Sequence, residues 1–156
     1  MALEIERKFL VRNSDYRAQA LGHQRIVQGY LQSDPARTVR VRIKGDKGYL
    51  TIKGIGDAGG TSRFEWEQAI PIEDAESLLA LCEPGIIDKV RYRVPVGDHL
   101  FEVDEFAGDN AGLVVAEVEL AHADEVFVRP DWLADEVTGD RRYYNSALKA
   151  HPHTKW

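Results

Sequence analysis

The chain alternates apolar and charged residues over most of its length. Near the N-terminus, Glu4, Glu6 and Lys8 fall on one face of a strand of period two, and Ile5 and Phe9 fall on the other. Similar alternation recurs further along the chain, which predicts a succession of β-strands. The eight predicted strands span residues 3–11, 26–32, 38–44, 48–53, 63–70, 88–94, 99–106 and 112–120.

Turn residues separate several of these strands. Gly45 followed by Asp46, and Gly97 followed by Asp98, predict tight hairpins. Residues 54–62 contain four glycines and no periodicity, which predicts a flexible loop between two paired strands. Helical spacing is less frequent: it predicts helices over residues 14–21 (capped by Ser14), 71–81 and 140–150, with short turns at 124–127 and 131–133.

The order of these elements predicts an α+β fold that is mainly antiparallel β. About eight strands in mostly adjacent order, joined by short loops and accompanied by few helices, favour a sheet that closes into a barrel. No repeat, linker or low-complexity tract divides the 156 residues. We therefore expect a single domain over residues 1–156.

Composition excludes several classes of partner. The net charge is −6, so the chain has no overall positive field for nucleic acid. The single cysteine, Cys82, cannot form an internal disulfide, which is typical of a reducing compartment. No apolar stretch approaches the ~20 residues of a membrane span. These features predict a cytoplasmic protein that binds neither nucleic acid nor membrane.

The charged face of the strands is unusual because it consists almost entirely of Glu, Asp, Arg and Lys. For any one strand, a solvent-facing side of a β-sandwich is the simpler interpretation. Solvent-facing strand positions more often include Thr, Ser and Gln, which suit a pleated sheet better. Repetition over seven strands instead favours a barrel whose charged face points inward, with the apolar face outside and covered by the few helices.

The composition of that inner face indicates its ligand. Charge inside a barrel is costly unless it is paired or bound to a ligand. The inner face has too many basic and too many acidic residues to be satisfied by simple pairing. Arginine is suited to phosphate oxygens, and carboxylates at spacing two suit a hard divalent cation such as Mg²⁺ or Mn²⁺. Together they predict a metal-bound polyphosphate. The basic set is Lys8, Arg40, Arg42, Lys53, Lys89 and Arg91, with Arg63 and Arg93 as further candidates near the ends of the barrel; the acidic set is Glu4, Glu6, Glu65, Glu67, Glu102, Asp104, Glu117 and Glu119.

The same residues carry a resemblance to a known family. Glu4-Ile5-Glu6-Arg7-Lys8 fits the Glu-x-Glu-x-Lys signature of the CYTH, or triphosphate tunnel metalloenzyme, superfamily. The chain resembles the short bacterial branch of that superfamily in motif order and spacing over nearly its whole length. The later motifs are Gln28-Gly29-Tyr30-Leu31, Val39-Arg40-Val41-Arg42, Leu50-Thr51-Ile52-Lys53, Glu65-Trp66-Glu67, Lys89-Val90-Arg91-Tyr92, Glu102-Val103-Asp104-Glu105-Phe106, Ala116-Glu117-Val118-Glu119 and Asp140-Arg141-Arg142-Tyr143-Tyr144-Asn145.

The resemblance implies an eight-stranded antiparallel tunnel that binds a triphosphate together with Mg²⁺ or Mn²⁺. It implies that the six basic residues above hold the phosphates. It also implies metal ligation by Glu4, Glu6, Glu117 and Glu119, with help from Asp104 and from Glu65 or Glu67. As a hypothesis for catalysis, Glu65 or Glu67 orients the attacking water and Lys8 steadies or protonates the leaving group.

Members of the superfamily perform different reactions, so alternatives remain. A short chain with little outside the barrel favours hydrolysis of inorganic tripolyphosphate to pyrophosphate and phosphate. Nucleoside or thiamine triphosphate hydrolysis comes next, and a class IV-type adenylate cyclase after that. The cyclase branch usually has a His-Phe element and several residues before its first motif, whereas only Met1, Ala2 and Leu3 precede Glu4 here. A non-catalytic polyphosphate-binding module and a homodimer also remain open.

Overall fold

The computed structural model describes residues 3–57, 59 and 62–156. The strands are β1 (Leu3–Val11), β2 (Gly22–Gln32), β3 (Arg37–Lys44), β4 (Lys47–Gly54), β5 (Ser62–Ile70), β6 (Ile87–Val96), β7 (His99–Phe106), β8 (Val114–Glu119) and β9 (Leu133–Glu136). The α-helices are α1 (Tyr16–Gln19), α2 (Ile72–Ala80) and α3 (Asn145–Leu148), and short 3-10 helices cover Gly108–Asn110, Arg141–Tyr143 and His153–Lys155.

Eight of the strands close into an antiparallel barrel. They follow the order β5-β4-β3-β2-β6-β7-β8-β1, and β1 also pairs with β5, which joins the two edges. The ninth strand, β9, pairs with the C-terminal part of β1, beyond the residues that pair with β5. The predicted α+β, mainly antiparallel, closed eight-stranded barrel is therefore confirmed, with one additional strand outside it.

The two predicted hairpins form where glycine permits a left-handed backbone. Gly45 has φ of 62° between β3 and β4, and Gly97 has φ of 59° between β6 and β7. Other residues adopt this conformation at a steric cost, which explains glycine at both turns. The predicted loop at residues 54–62 connects β4 and β5, but residues 58, 60 and 61 lie outside the described part of the chain.

The apolar face of the barrel points outward, as the alternation predicted. Phe9, Phe101, Val103 and Val118 on β1, β7 and β8 are each 0% exposed. They form one cluster with Tyr16 of α1 and with residues that precede or begin β9, namely Trp132 and Leu133. The cover on this side is largely irregular chain rather than helix. On another side of the barrel, α2 lies against β2, β3 and β4.

The inner face is charged along most of its length and apolar at one end. Inward-facing Ile87, Phe106 and Val115 pack there against Tyr143 and Leu148 from the C-terminal segment. We call this cluster the plug; it also includes Leu113, with Leu10 and Val137 packed against it. The plug closes one end of the barrel with side chains that are distant in sequence.

Several boundaries differ from the predictions. The C-terminal helix predicted over residues 140–150 is wrong: a 3-10 helix and the single turn of α3 flank Tyr144, whose extended backbone (φ −71°, ψ 137°) interrupts any continuous helix. The helix predicted from Ser14 begins at Tyr16, with Asp15 in the capping position. Strand β9 was missed because its four residues lack the β-branched and aromatic side chains that favour strands.

Helix length also bears on the membrane prediction. Across the part of the chain that the structure describes, no helix has the length and apolar character that crossing a membrane requires.

Candidate active site inside the barrel

One wall of the barrel interior is rich in carboxylates because of the register between β1 and β8. Glu6 lies opposite Glu119, and Lys8 lies opposite Glu117. Glu4 precedes Glu6 by two residues and therefore faces the same way. The predicted inward orientation of the opening triplet is confirmed, and β1 and β8 bring four carboxylates to one wall, with Lys8 beside Glu117 and Lys53 beside Glu4.

Six basic side chains from β1, β3, β4 and β6 are buried inside the same barrel. Their exposed fractions lie between 0% and 9%. Arg42 makes one hydrogen bond, to Gln28 Oε1 at 2.8 Å, and no ion pair among the described residues. Burial, together with the charges of Arg40 and Arg91, lowers the pKa of Arg42 to about 9. The interior therefore concentrates positive charge that the protein compensates only in part. The six residues are Lys8, Arg40, Arg42, Lys53, Lys89 and Arg91.

Asp104 lies between two of these cations. Arg91 donates two hydrogen bonds to its oxygens, from Nε at 2.7 Å and from Nη2 at 2.8 Å, and Lys89 Nζ lies 2.7 Å from Oδ2. Burial alone would raise the pKa of Asp104, but Arg91 and Lys89 hold it well below its usual range. For Lys89, burial outweighs the attraction of Asp104, and the pKa falls to about 7.

The glutamates of β1 and β8 titrate differently according to their neighbours. Burial, followed by the charges of Glu117 and Glu4, raises the pKa of Glu6 to about 8. Burial also opposes charge on Glu117, but Lys8 and Arg91 lower its pKa to about 2. A hydrogen bond joins the Glu6 and Glu117 side chains. Lys53 and Arg63 lie 3.0 Å and 3.7 Å from Glu4 on the same wall, so neighbouring cations offset part of its negative charge.

Glu65 belongs to the same carboxylate group, whereas Glu67 lies nearer the solvent. Lys53 Nζ is 3.0 Å from Glu4 and 3.4 Å from Glu65. Burial and a hydrogen bond with Glu4 raise the pKa of Glu65. The Glu67 side chain is 42% exposed, lies 3.7 Å from Arg40 Nη2 and accepts a hydrogen bond from the Thr51 hydroxyl.

Within the part of the chain that the structure describes, two buried nitrogen atoms inside the barrel donate no hydrogen bond. They are Gln28 Nε2 and Arg40 Nε. Gln28 is 0% exposed and Arg40 is 6% exposed, so neither atom faces bulk water. Unpaired buried donors are rare and cost free energy. Arg40 lines the cavity described below, so an acceptor held in the lumen, such as a phosphate oxygen, would satisfy its Nε, whereas Gln28 does not line that cavity.

The lumen contains a cavity of about 200 Å³. Of the thirteen residues to which the sequence assigns a phosphate-binding, metal-binding or catalytic role, Lys89 and Asp104 do not line it; Asp104 pairs with both Lys89 and Arg91. The other eleven all line it: Glu4, Glu6, Lys8, Arg40, Arg42, Lys53, Glu65, Glu67, Arg91, Glu117 and Glu119.

Sequence reasoning missed two contributors from the C-terminal segment. The Tyr144 ring lies 4.9 Å from Lys8 Nζ and 5.6 Å from the Arg63 guanidinium carbon. Asn145 Oδ1 accepts a hydrogen bond from Lys89 Nζ at 3.3 Å. Tyr144 and Asn145 both line the cavity. They belong to no alternating strand, so the alternation of charged and apolar residues could not reveal them. Only the motif at residues 140–145 indicated this segment.

The chemistry of the acidic wall fits a hard divalent cation. Every ligand atom there is a carboxylate oxygen, and the raised pKa of Glu6 indicates that its carboxyl group holds a proton that a cation would replace. Within the described residues, no three His, Cys, Asp or Glu side chains are arranged to hold a metal ion as they stand. Glu4 is engaged by Lys53, and Glu6 by Glu117.

Comparisons with known proteins agree with this architecture. Residues 2–148 match the CYTH domain. The chain is 47% identical over 154 residues to an inorganic triphosphatase of Acetivibrio thermocellus, covering 98% of this chain and 97% of the relative. It is 38% identical over 151 residues to an inorganic triphosphatase of Nitrosomonas europaea, covering 93% and 95%.

A solved structure supports the same assignment. The crystal structure of the inorganic triphosphatase NE1496 superimposes with a TM-score of 0.68 at 35% identity, covering 96% of this chain and 95% of that chain. Family match, sequence relatives and barrel geometry all agree. This chain belongs to the CYTH family.

Proposed function

We propose that this protein is a divalent-cation-dependent inorganic triphosphatase that hydrolyses tripolyphosphate to pyrophosphate and phosphate. The observation that carries the proposal is the convergence of six buried basic side chains in a closed barrel, where Arg40 Nε has no acceptor among the described residues. A short polyanion supplies both the charge and the acceptors that this interior needs. The two curated relatives, both inorganic triphosphatases, support the choice of substrate.

In this proposal the basic residues bind and orient the phosphates. Arg40 and Arg42 on β3 and Arg91 on β6 offer guanidinium donors, and Lys53 on β4 offers an ammonium donor. Asp104 acts on them indirectly, because its two hydrogen bonds with Arg91 fix the orientation of that guanidinium. A metal-ligand role for Asp104 stays a prediction, since it would require breaking these contacts and the contact with Lys89.

Glu4, Glu6, Glu117 and Glu119 would hold the cation, for which we propose Mg²⁺ or Mn²⁺. When bound, such a cation neutralises phosphate oxygens and lowers the pKa of a coordinated water. Lys53 and the proton on Glu6 neutralise part of this wall in its absence. The carboxylates are thus kept close together at a tolerable electrostatic cost.

The remaining residues handle water and the leaving group. Glu65 lies beside Glu4, and burial together with the hydrogen bond to Glu4 raises its pKa, which favours a role in accepting and returning the proton of the attacking water. Glu67 is its alternative at the more open side of the cavity. Burial opposes charge on Lys8, but Glu117 and Glu6 raise its pKa, so Lys8 stays protonated and can donate to the leaving oxygen.

We further propose that the whole chain works as one catalytic unit, because the C-terminal segment supplies Tyr144 and Asn145 to barrel lysines. The cytoplasmic location and a homodimer stay predictions.

Phosphate release tests the proposal. The substrates are tripolyphosphate, ATP, thiamine triphosphate and pyrophosphate, each with Mg²⁺, with Mn²⁺ and with EDTA. Arg42→Gln removes one buried guanidinium group. We expect it to lower kcat/KM for tripolyphosphate roughly a hundredfold or more, because the loss of one electrostatic contact to the charge that develops in the transition state has an effect of this size. Arg25→Gln is the matched control, because Arg25 lies on the outer face of β2 and pairs with Asp88.

Each outcome has a defined meaning. Preferential turnover of ATP or thiamine triphosphate would replace the substrate assignment. Tight binding of tripolyphosphate without turnover under either metal would instead support a binding module. Equal activity of Arg42→Gln and Arg25→Gln would place the chemistry outside the barrel.

A further inference from the structure

The ammonium group of Lys8 is buried, but among the described residues it makes no hydrogen bond. The side chain is 8% exposed, and its ion-pair partner, Glu117 Oε1, lies 3.7 Å from Nζ. That distance is longer than a hydrogen bond, so the carboxylate attracts the cation without fixing its direction. The ammonium sits on a flexible four-carbon stem, and holding it in one place requires a further contact.

The ring of Tyr144 supplies that contact. Its centroid lies 4.9 Å from Lys8 Nζ and 5.6 Å from the Arg63 guanidinium carbon, both within the range of about 6 Å for a cation–π interaction. Arg63 Nε in turn lies 3.7 Å from Glu4 Oε1. The ring therefore connects a cation of β1 to a cation of β5, two strands that pair only over the first residues of β1.

The backbone holds Tyr144 firmly in this position. Its N–H donates to the carbonyl of Arg141 at 3.1 Å, and its carbonyl accepts from the N–H groups of Ala147 and Leu148, each at 2.9 Å. The preceding residue, Tyr143, is packed in the plug. The extended residue that interrupts the C-terminal helix thus presents an anchored ring to the lumen.

An aromatic ring suits this place because it stabilises a cation without neutralising it. A carboxylate beside Lys8 would compete with phosphate oxygens for the ammonium and would repel a polyanion. The ring has no formal charge and attracts the cation through its π-face. The N–H groups of Lys8 that do not point at the ring stay available to a phosphate oxygen.

We propose that Tyr144 is a positioning residue for phosphoryl transfer, which holds the Lys8 ammonium toward the leaving oxygen. This inference rests on the proposed function, in which Lys8 serves the leaving group. The ring itself exchanges neither protons nor electrons with the substrate. In the step that it assists, water bonds to the terminal phosphorus and gives a proton to Glu65. The bridging P–O bond breaks, and its oxygen keeps the electron pair and takes a proton from Lys8; both side chains then re-equilibrate with solvent protons.

Steady-state hydrolysis of tripolyphosphate by Tyr144→Phe, Tyr144→Leu and Tyr92→Leu tests this role. We expect Tyr144→Leu to lower kcat roughly tenfold, the size of a desolvated cation–π contact, and to change KM less than about twofold, because the contact acts where charge develops. Tyr144→Phe keeps the ring and should retain kcat within about twofold. Tyr92→Leu is the matched control, because the Tyr92 ring also lies beside a cation, 5.7 Å from the Arg17 guanidinium carbon, but packs against the outer apolar cluster.

The contact also has a readout that does not depend on turnover. In metal-free protein without substrate, the ring current of Tyr144 should shift the NMR resonances of the Lys8 Cε protons upfield. The shift should persist in Tyr144→Phe and disappear in Tyr144→Leu. A wild-type spectrum without the shift would overturn the contact, even where thermal melting shows that Tyr144→Leu does not fold.

The failures of the two proposals are distinguishable. Wild-type protein that never hydrolyses tripolyphosphate overturns the proposed function. Active wild-type protein whose Tyr144→Leu variant has the same kcat as Tyr92→Leu overturns only the positioning role. Equal losses in Tyr144→Phe and Tyr144→Leu would also overturn it, because they would assign the effect to the hydroxyl group rather than to the ring.

Discussion

Glu6 is the residue at which the electrostatics of the interior are most apparent. Burial and the charges of Glu117 and Glu4 raise its pKa to about 8, whereas the pKa of a glutamate in an unfolded chain is about 4.3. Between these values the native protein binds a proton that the unfolded chain has released. Stability therefore falls as the pH rises through this window. The lowered pKa of Glu117, about 2, acts at more acidic pH and does not overlap with it.

We predict that Glu6→Gln flattens the pH dependence of stability between pH 5 and pH 7. The free energy of unfolding of the metal-free wild-type protein should fall by roughly 1 to 3 kcal/mol over this range. As the pH rises, Glu6 in the native protein must either keep a proton that the unfolded chain releases or ionise beside the charges of Glu117 and Glu4. Urea unfolding in EDTA at several pH values measures the slope. Glu76→Gln, on the exposed face of α2, is the control. Parallel slopes in all three proteins would contradict this account of Glu6.

Among the elements, the C-terminal segment contributes to both the plug and the cavity. It contributes Tyr143 and Leu148 to the plug, and Tyr144 and Asn145 to the cavity. The apolar contacts hold the segment on the barrel, and the polar ones reach Lys8 and Lys89. Packing at this end is therefore coupled to the position of two cations inside the lumen.

We predict that Leu148→Ala destabilises the protein by about 2 to 4 kcal/mol. Leu148 is 0% exposed within the plug, so its truncation removes apolar contacts and leaves a cavity. Leu81→Ala is the matched control, because Leu81 is 72% exposed at the end of α2 and should change stability little. Chemical denaturation measures both. An unchanged midpoint for Leu148→Ala would mean that the segment is not packed in solution.

At the scale of the whole molecule, the fold holds charged side chains in its interior, where a bound ligand would compensate their charge. Burial, together with the charges of Arg40 and Arg91, lowers the pKa of Arg42, and the unpaired donors add a further cost. The outer apolar clusters must outweigh that cost in the free protein. A bound polyanion would relieve it and would bind the native state only.

We predict that tripolyphosphate raises the thermal midpoint of the wild-type protein by several degrees at concentrations well above its Kd. The rise should be larger when a divalent cation that supports binding is also present. The sample is kept cold until the scan begins, so that little tripolyphosphate is hydrolysed beforehand. Arg42→Gln should reduce the rise, and sulfate at equal ionic strength is the control anion. Equal shifts with sulfate would indicate a general salt effect rather than occupation of the lumen.

Much of this site follows from local sequence. Once a segment is a strand, covalent geometry sends alternate side chains to opposite faces, so Arg40 and Arg42, or Lys89 and Arg91, must share a face wherever the strand lies. Eleven of thirteen predicted residues therefore line one cavity. Glycine at the two tight turns is equally local, because the required backbone angle is a property of one residue.

Other features depend on contacts between residues far apart in the chain. Strand register pairs Asp104 with Arg91 and sets Glu6 beside Glu117, which decides which carboxylates are neutralised and which keep a proton. The plug and the place of Tyr144 depend on how the C-terminal segment packs on β6, β7 and β8. Alternation along the chain specifies which face a side chain occupies, but its neighbours across the lumen, and hence its charge, arise only when the sheet closes.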